Sequence, residues 1–118
     1  MKKMLIVEDN EDIRALYKRI LRKASEIEVF EASDAYTALS MTEEISPDIL
    51  LVDISLPGMN GIEFTSKIHS DFPDIKILIV TGHEVSRYYD EAIRAGAIDV
   101  ISKDVVNELA ERCRALLV

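Results

Sequence analysis

Glu8, Asp9, Asp53, Thr81 and Lys103 stand where short apolar runs give out. Met4-Leu5-Ile6-Val7 leads into Glu8-Asp9, and Ile49-Leu50-Leu51-Val52 into Asp53. Ile75–Val80 leads into Thr81-Gly82, and Ile98–Ile101 through Ser102 into Lys103. If those runs are neighbouring parallel strands, the polar groups share one rim, where open α/β sheets bind their ligands. Three carboxylates gathered there repel one another, and one must take up a proton unless a cation neutralises them. Lys103 offsets one charge and leaves roughly two, which suits a small, hard divalent ion. Mg²⁺ typically takes one or two carboxylates, waters and a substrate phosphate. A carboxylate is also a nucleophile that can form an aspartyl phosphate. With the Lys103 ammonium and the Thr81 hydroxyl to meet the other oxygens, the set has what phosphoryl transfer requires. Singly, each residue is ordinary. Glu8-Asp9 fits a solvated turn before a helix, where acids are favourable; Thr81 fits a strand end, and Lys103 a surface charge. Their joint placement carries the reading.

The elements that must position them follow from two alternating patterns. The apolar runs at Met4–Val7, Ile27–Phe30, Ile49–Val52, Ile75–Val80 and Ile98–Ile101 read as strands. Between them, apolar residues recur at helical spacing. Ile13, Leu16, Tyr17, Ile20 and Leu21 form one buried face behind Asn10 as N-cap. Asp34 caps a second helix carrying Ala35, Ala38 and Leu39. Asn60 and Glu63 open a third like a capping box, with Phe64, Ile68 and Phe72 inward. Val85, Tyr88, Tyr89, Ala92 and Ile93 form the face of a fourth, stopped by Gly96. A fifth runs from about 105 to 117. Five strand–helix units in series require a parallel sheet, since each helix carries the chain back across a face. Consecutive apolar positions such as 49–52 fit strands covered on both sides. The expected fold is a flavodoxin-like, doubly wound (βα)5 domain, with a five-stranded parallel sheet in the order 2-1-3-4-5.

Composition limits what such a domain does. The 118 residues make one domain, and no Pro/Gly-rich linker divides them. A net charge of −8 argues against nucleic acid and anionic membrane surfaces. No apolar run approaches the ~18 residues of a membrane span, and Lys2-Lys3 is followed by a run too short for a signal peptide. A cytoplasmic protein is expected. Cys113 has no partner for a disulfide and reads as a small buried hydrophobe.

The same residues resemble the receiver domain of two-component response regulators, in register over the whole chain. Glu8-Asp9 match its acidic pair, and Asp53-Ile-Ser-Leu-Pro57-Gly58-Met59-Asn60-Gly61 its phosphoacceptor strand and loop. Thr81-Gly82 match its hydroxyl switch position, and Gly96-Ala97-Ile-Asp99 leads to its lysine, Lys103. The resemblance implies that Asp53 accepts a phosphoryl group from a histidine kinase or phosphotransfer protein. It implies Mg²⁺ on Asp9, Asp53 and the Ser55 carbonyl, with Glu8 near or through water, and Thr81 and Lys103 on the phosphoryl group. It implies a signalling protein rather than an enzyme, with an unidentified downstream protein target. By the same resemblance, residues 1–118 are expected to form the receiver, with no output domain among them.

Two positions depart from that family. Val100 stands where an aromatic residue usually reports the movement of Thr81; it is stiff at χ1 and has no ring to swing. Output coupling is therefore expected to differ while phosphorylation is kept. Asp104 stands where Pro usually follows the lysine in a cis bond; without Pro a cis bond costs ~2.5–4 kcal/mol, so a trans bond and a reshaped loop are expected. His83 reads as an exposed loop histidine ahead of a role beside the phosphoryl group, and His69 as surface. Tyr88 and Tyr89 read as packing on the sheet, with an interface role for one as the alternative. Ser55 stands where a haloacid-dehalogenase-type phosphatase needs a second acid, and no G-x-G-x-x-G turn follows the first strand. The anionic Glu8–Asp12 run disfavours an electron carrier's phosphate loop. The remaining rival is a degenerate receiver acting as a phosphorylation-independent interaction module.

Overall fold

The computed structural model describes residues 1–117; Val118 lies outside the described residues. The elements, in chain order, are β1 (Lys2–Val7), α1 (Glu11–Leu21), β2 (Ile27–Ala32), α2 (Ala35–Ile45), β3 (Ile49–Asp53), α3 (Gly61–Asp71), β4 (Lys76–Thr81), α4 (Val85–Ala95), β5 (Asp99–Ser102), a 3-10 segment (Lys103–Glu108) and α5 (Leu109–Leu116). All strand pairings are parallel, in the order β2-β1-β3-β4-β5. This is the flavodoxin-like arrangement expected from the sequence, with β3 enclosed between β1 and β4.

Strand alternation divides the core into two layers. Leu50 and Val52 of β3 join Leu5, Val7, Ile77, Ile79 and Val100 beneath α2, α3 and α4. Ile49 and Leu51 join Met4, Ile6, Leu78, Val80 and Ile101 beneath α1 and α5, with Tyr17, Leu21 and Cys113. Cys113 is fully buried, and burial pushes its thiol up to about 12, as befits an inert packing residue.

Three of the expected caps are made. Asn10 accepts from the Ile13 N–H, Asp34 from Thr37, and Asn60 from both Ile62 and Glu63. Gly96 ends α4 at φ +116, a conformation costly for a residue with a Cβ, and the His69 ring lies against it. That contact gives the exposed His69 a packing role.

Two expectations need correction. The fifth helix does not run unbroken from about 105. Ser102 Oγ accepts from the Asp104 N–H at 3.1 Å, tightening the chain into a 3-10 segment before α5 starts at Leu109. Leu16, Tyr89 and Ile93 are also exposed (37%, 42% and 36%) rather than part of buried faces. The buried stripe of α1 narrows to Tyr17 and Leu21, and α4 buries only Ala92 fully because it sits toward the β5 edge of the sheet.

Candidate functional site

Glu8 follows β1 directly, and its N–H donates to the Ala32 carbonyl at 3.1 Å, continuing the ladder one residue past the strand. Asp53 is the last residue of β3. By alternation, Glu8 continues the series of Met4 and Ile6, and Asp53 that of Ile49 and Leu51; both belong to the α1–α5 side. Their side chains are buried, whereas Asp9 is exposed. Carboxylate oxygens of Glu8, Asp9 and Asp53 all lie within 4.8 Å of one another.

Lys103 reaches this cluster from beyond β5. Its Nζ is 3.1 Å from Glu8 Oε1 and 3.3 Å from Asp53 Oδ2, so one ammonium serves two buried acids. Backbone donors fix the other oxygens: the Asn10 N–H meets Glu8 Oε2 at 3.1 Å, and the Ser55 N–H meets Asp53 Oδ1 at 3.2 Å. Burial pushes the Glu8 carboxyl up to about 7; the Asn10 N–H pulls against that, and the Asp53 charge adds to it. Burial pulls the Lys103 ammonium down, but Asp53 and Glu8 outweigh it and hold Lys103 above its ordinary value. The cluster thus has more negative charge than its one ammonium offsets, and its donors are all oxygen. This is a fit for Mg²⁺ on charge and ligand type.

Two residues that periodicity did not single out build the frame. Arg14, on α1, donates from Nη1 to the carbonyls of Glu8 (2.7 Å) and Asp9 (3.2 Å), and from Nε to Glu31 Oε1 (2.9 Å). It clamps the acidic turn from behind. Its only sequence signal is a cation one helical turn after the Asn10 cap. Gly61 opens α3 against the backbone of β3: an added Cβ would stand 2.3 Å from the Asp53 carbonyl oxygen and 2.8 Å from Ile54 Cα. Only glycine allows that approach. The Gly61 N–H also donates to Ile54 at 2.9 Å, so the start of α3 braces the peptide that carries Asp53.

Thr81 and Val100 lie on the other layer. Thr81, fully buried at the end of β4, continues the series of Ile77 and Ile79, and its Oγ1 accepts from the His83 N–H at 3.0 Å. Val100 is 4% exposed in the same layer. Among the described residues there is no cis peptide bond, so Lys103–Asp104 is trans as expected, and Asp104 is exposed in the 3-10 segment. Ser55 is exposed, with its N–H turned to Asp53.

A profile of the response regulator receiver domain matches residues 4–114. The chain belongs to that family. The receiver is 31% identical over 103 residues to the transcriptional regulatory protein DegU of Brevibacillus brevis, covering 86% of this chain and 44% of that protein. It is 38% identical over 104 residues to a protein-glutamate methylesterase/protein-glutamine glutaminase of Sulfurimonas denitrificans, covering 86% and 29%. The receiver thus spans less than half of each of these curated relatives. Among solved structures, the response regulator domain of Thermotoga maritima CheB superposes with a TM-score of 0.87 at 30% identity, covering 100% of this chain and 98% of that one. Among the described residues, no helix is long and apolar enough to cross a membrane.

Proposed function

We propose that this receiver is phosphorylated on Asp53 in the presence of Mg²⁺, and that it passes the signal on through protein contacts in the cytoplasm. The observation that carries the reading is the Lys103 ammonium shared between Glu8 and Asp53, beside Asp9. A buried carboxylate with its cation already in place is a nucleophile whose product charge is met on arrival.

In the reaction, an Asp53 carboxylate oxygen attacks the phosphorus of a phosphohistidine on a histidine kinase or phosphotransfer protein. A P–O bond forms as the P–N bond breaks; its electron pair passes to the imidazole nitrogen, which takes a proton from water. The Ser55 N–H and Lys103 orient the carboxylate before attack. Lys103 then pairs with a phosphoryl oxygen, and the Thr81 hydroxyl donates to another. Mg²⁺, held by Glu8, Asp9, Asp53 and the Ser55 carbonyl, would neutralise charge on the transferred group. Asp104 adds a negative charge beside Lys103 and lowers the affinity for the phosphoryl group. The exposed acidic surface leaves nucleic acid outside this domain's own partners.

Incubation with acetyl phosphate, followed by intact mass, tests this. One phosphoryl group is expected on the wild type with Mg²⁺, and none without metal or on Asp53→Asn. Equal labelling of Asp53→Asn would sink Asp53 as the acceptor, and a wild type that takes up no phosphoryl group would leave an interaction module independent of phosphorylation.

A further inference from the structure

Val100 is buried among aliphatic neighbours and offers neither a ring nor a polar atom through which Thr81 could be read. A different path leaves Thr81. Its Oγ1 holds the backbone N–H of His83 at 3.0 Å. The His83 ring meets the Tyr88 ring edge-on, with centroids 5.8 Å apart and planes at 61°. The Arg87 guanidinium covers the same Tyr88 ring at 5.2 Å from its centroid. Tyr88 itself is half-buried against the layer that contains Val100. Hydrogen bond, ring pair and core contact form a continuous chain from the rim to α4.

Resting on the proposed phosphorylation of Asp53, we infer that the His83–Tyr88 ring pair is the reporter of Thr81 in this protein. By strand alternation Thr81 faces the α2–α4 layer, whereas Asp53 faces the α1–α5 layer. In this relay the Thr81 hydroxyl rotates about χ1 to another staggered position to donate to a phosphoryl oxygen on Asp53, and the oxygen leaves the His83 N–H. The freed 82–84 segment shifts, and the ring contact between His83 and Tyr88 opens. The helix that follows is free to respond. Glu84 gives α4 no side-chain cap, in contrast to Asn10, Asp34 and Asn60 on the first three helices. A discrete Thr81 rotation is thereby converted into a change in the Tyr88 environment on an exposed helix.

NMR of the full chain with labelled Tyr and His rings tests this, with beryllofluoride and Mg²⁺ loading Asp53 as a phosphoryl mimic. The fluorine signal reports loading independently of the rings. In the loaded wild type the Tyr88 and His83 ring resonances are expected to move, while those of His69, in the last turn of α3 against Gly96, stay in place. His83→Ala is expected to load with unchanged affinity and to lose the Tyr88 shift. Tyr88→Phe, which keeps the ring, retains the His83 shift. A wild type that loads with Tyr88 unmoved overturns the relay alone, as does a His83→Ala variant whose Tyr88 shift is intact. A wild type that takes up no beryllofluoride overturns the Asp53 reading, and the relay falls with it.

Discussion

On the α1–α5 side of the rim, each of the two buried acids is held by more than one bond. Glu8 has Lys103, the Asn10 N–H and the ladder bond to Ala32; Asp53 has Lys103 and the Ser55 N–H. Arg14 locks the turn behind them, and Gly61 lets α3 press on the peptide of Asp53. On the α2–α4 side, Thr81 has a single hydrogen bond to a loop N–H, α4 starts without a cap, and Val100 contributes only apolar contact. The contrast follows the two tasks. Attack on phosphorus requires a nucleophile and cation fixed before the reaction. Signalling requires an element weakly enough held to move when one group turns.

The largest expected effect of breaking this contrast is at Gly61. Gly61→Ala drives a Cβ into the Asp53 carbonyl, where backbone cannot give way cheaply. A loss of about 3 kcal/mol in urea unfolding is expected, at the upper end of overpacking costs. An unchanged midpoint would show that the α3 start is not the brace described. Next comes Lys103→Met. Removing the ammonium leaves Glu8 and Asp53 unpaired, and about 2 kcal/mol should be lost in metal-free protein, below the cost of fully buried pairs because Lys103 is 26% exposed. Mg²⁺ should recover most of that loss, and chelation should restore it; thermal melts with and without metal measure both.

Part of this contrast was legible in the sequence and part was not. The apolar runs ending in Glu8 and Asp53 announced a parallel sheet and its rim because both faces are covered. Asn10, Asp34 and Asn60 announced their helices because capping is local chemistry. Arg14 was hidden because a charged residue between Ile13 and Leu16 reads as solvent-facing; its partners, Glu31 and the Glu8–Asp9 carbonyls, are brought to it by the fold. Tyr89 and Ile93 misled for the opposite reason: helical spacing shows which residues share a face, but not how far the sheet extends beneath it. The tie from Thr81 through His83 to Tyr88 depends on where a loop places a ring, which no periodicity records.

On the yielding side, Glu84→Ser supplies the cap that α4 lacks. Stability should rise by about 1 kcal/mol, and the response of the Tyr88 ring to beryllofluoride should shrink. A larger response in the capped variant would mean that α4 mobility is not what permits the movement. The smallest expected effect is that of pH through Glu31. Hydrogen bonds from Lys18 and then Arg14 hold its carboxyl below the usual range. Its contribution is therefore fully present above the ordinary carboxylate value and is lost as pH falls through its lowered one. Glu31 is partly exposed, so the effect is modest. Glu31→Gln should soften the acid limb of the stability profile without shifting the neutral plateau by more than the loss of the pair itself.

The most direct test of the central claim locates the phosphoryl group. Borohydride reduces an aspartyl phosphate to homoserine, which peptide mass spectrometry assigns to a single position. After treatment with acetyl phosphate and Mg²⁺, the conversion is expected at Asp53 and nowhere else, and it should vanish when metal is chelated. Homoserine at Asp9, 5-hydroxynorvaline at Glu8, or conversion at Asp53 that is indifferent to metal would contradict the account.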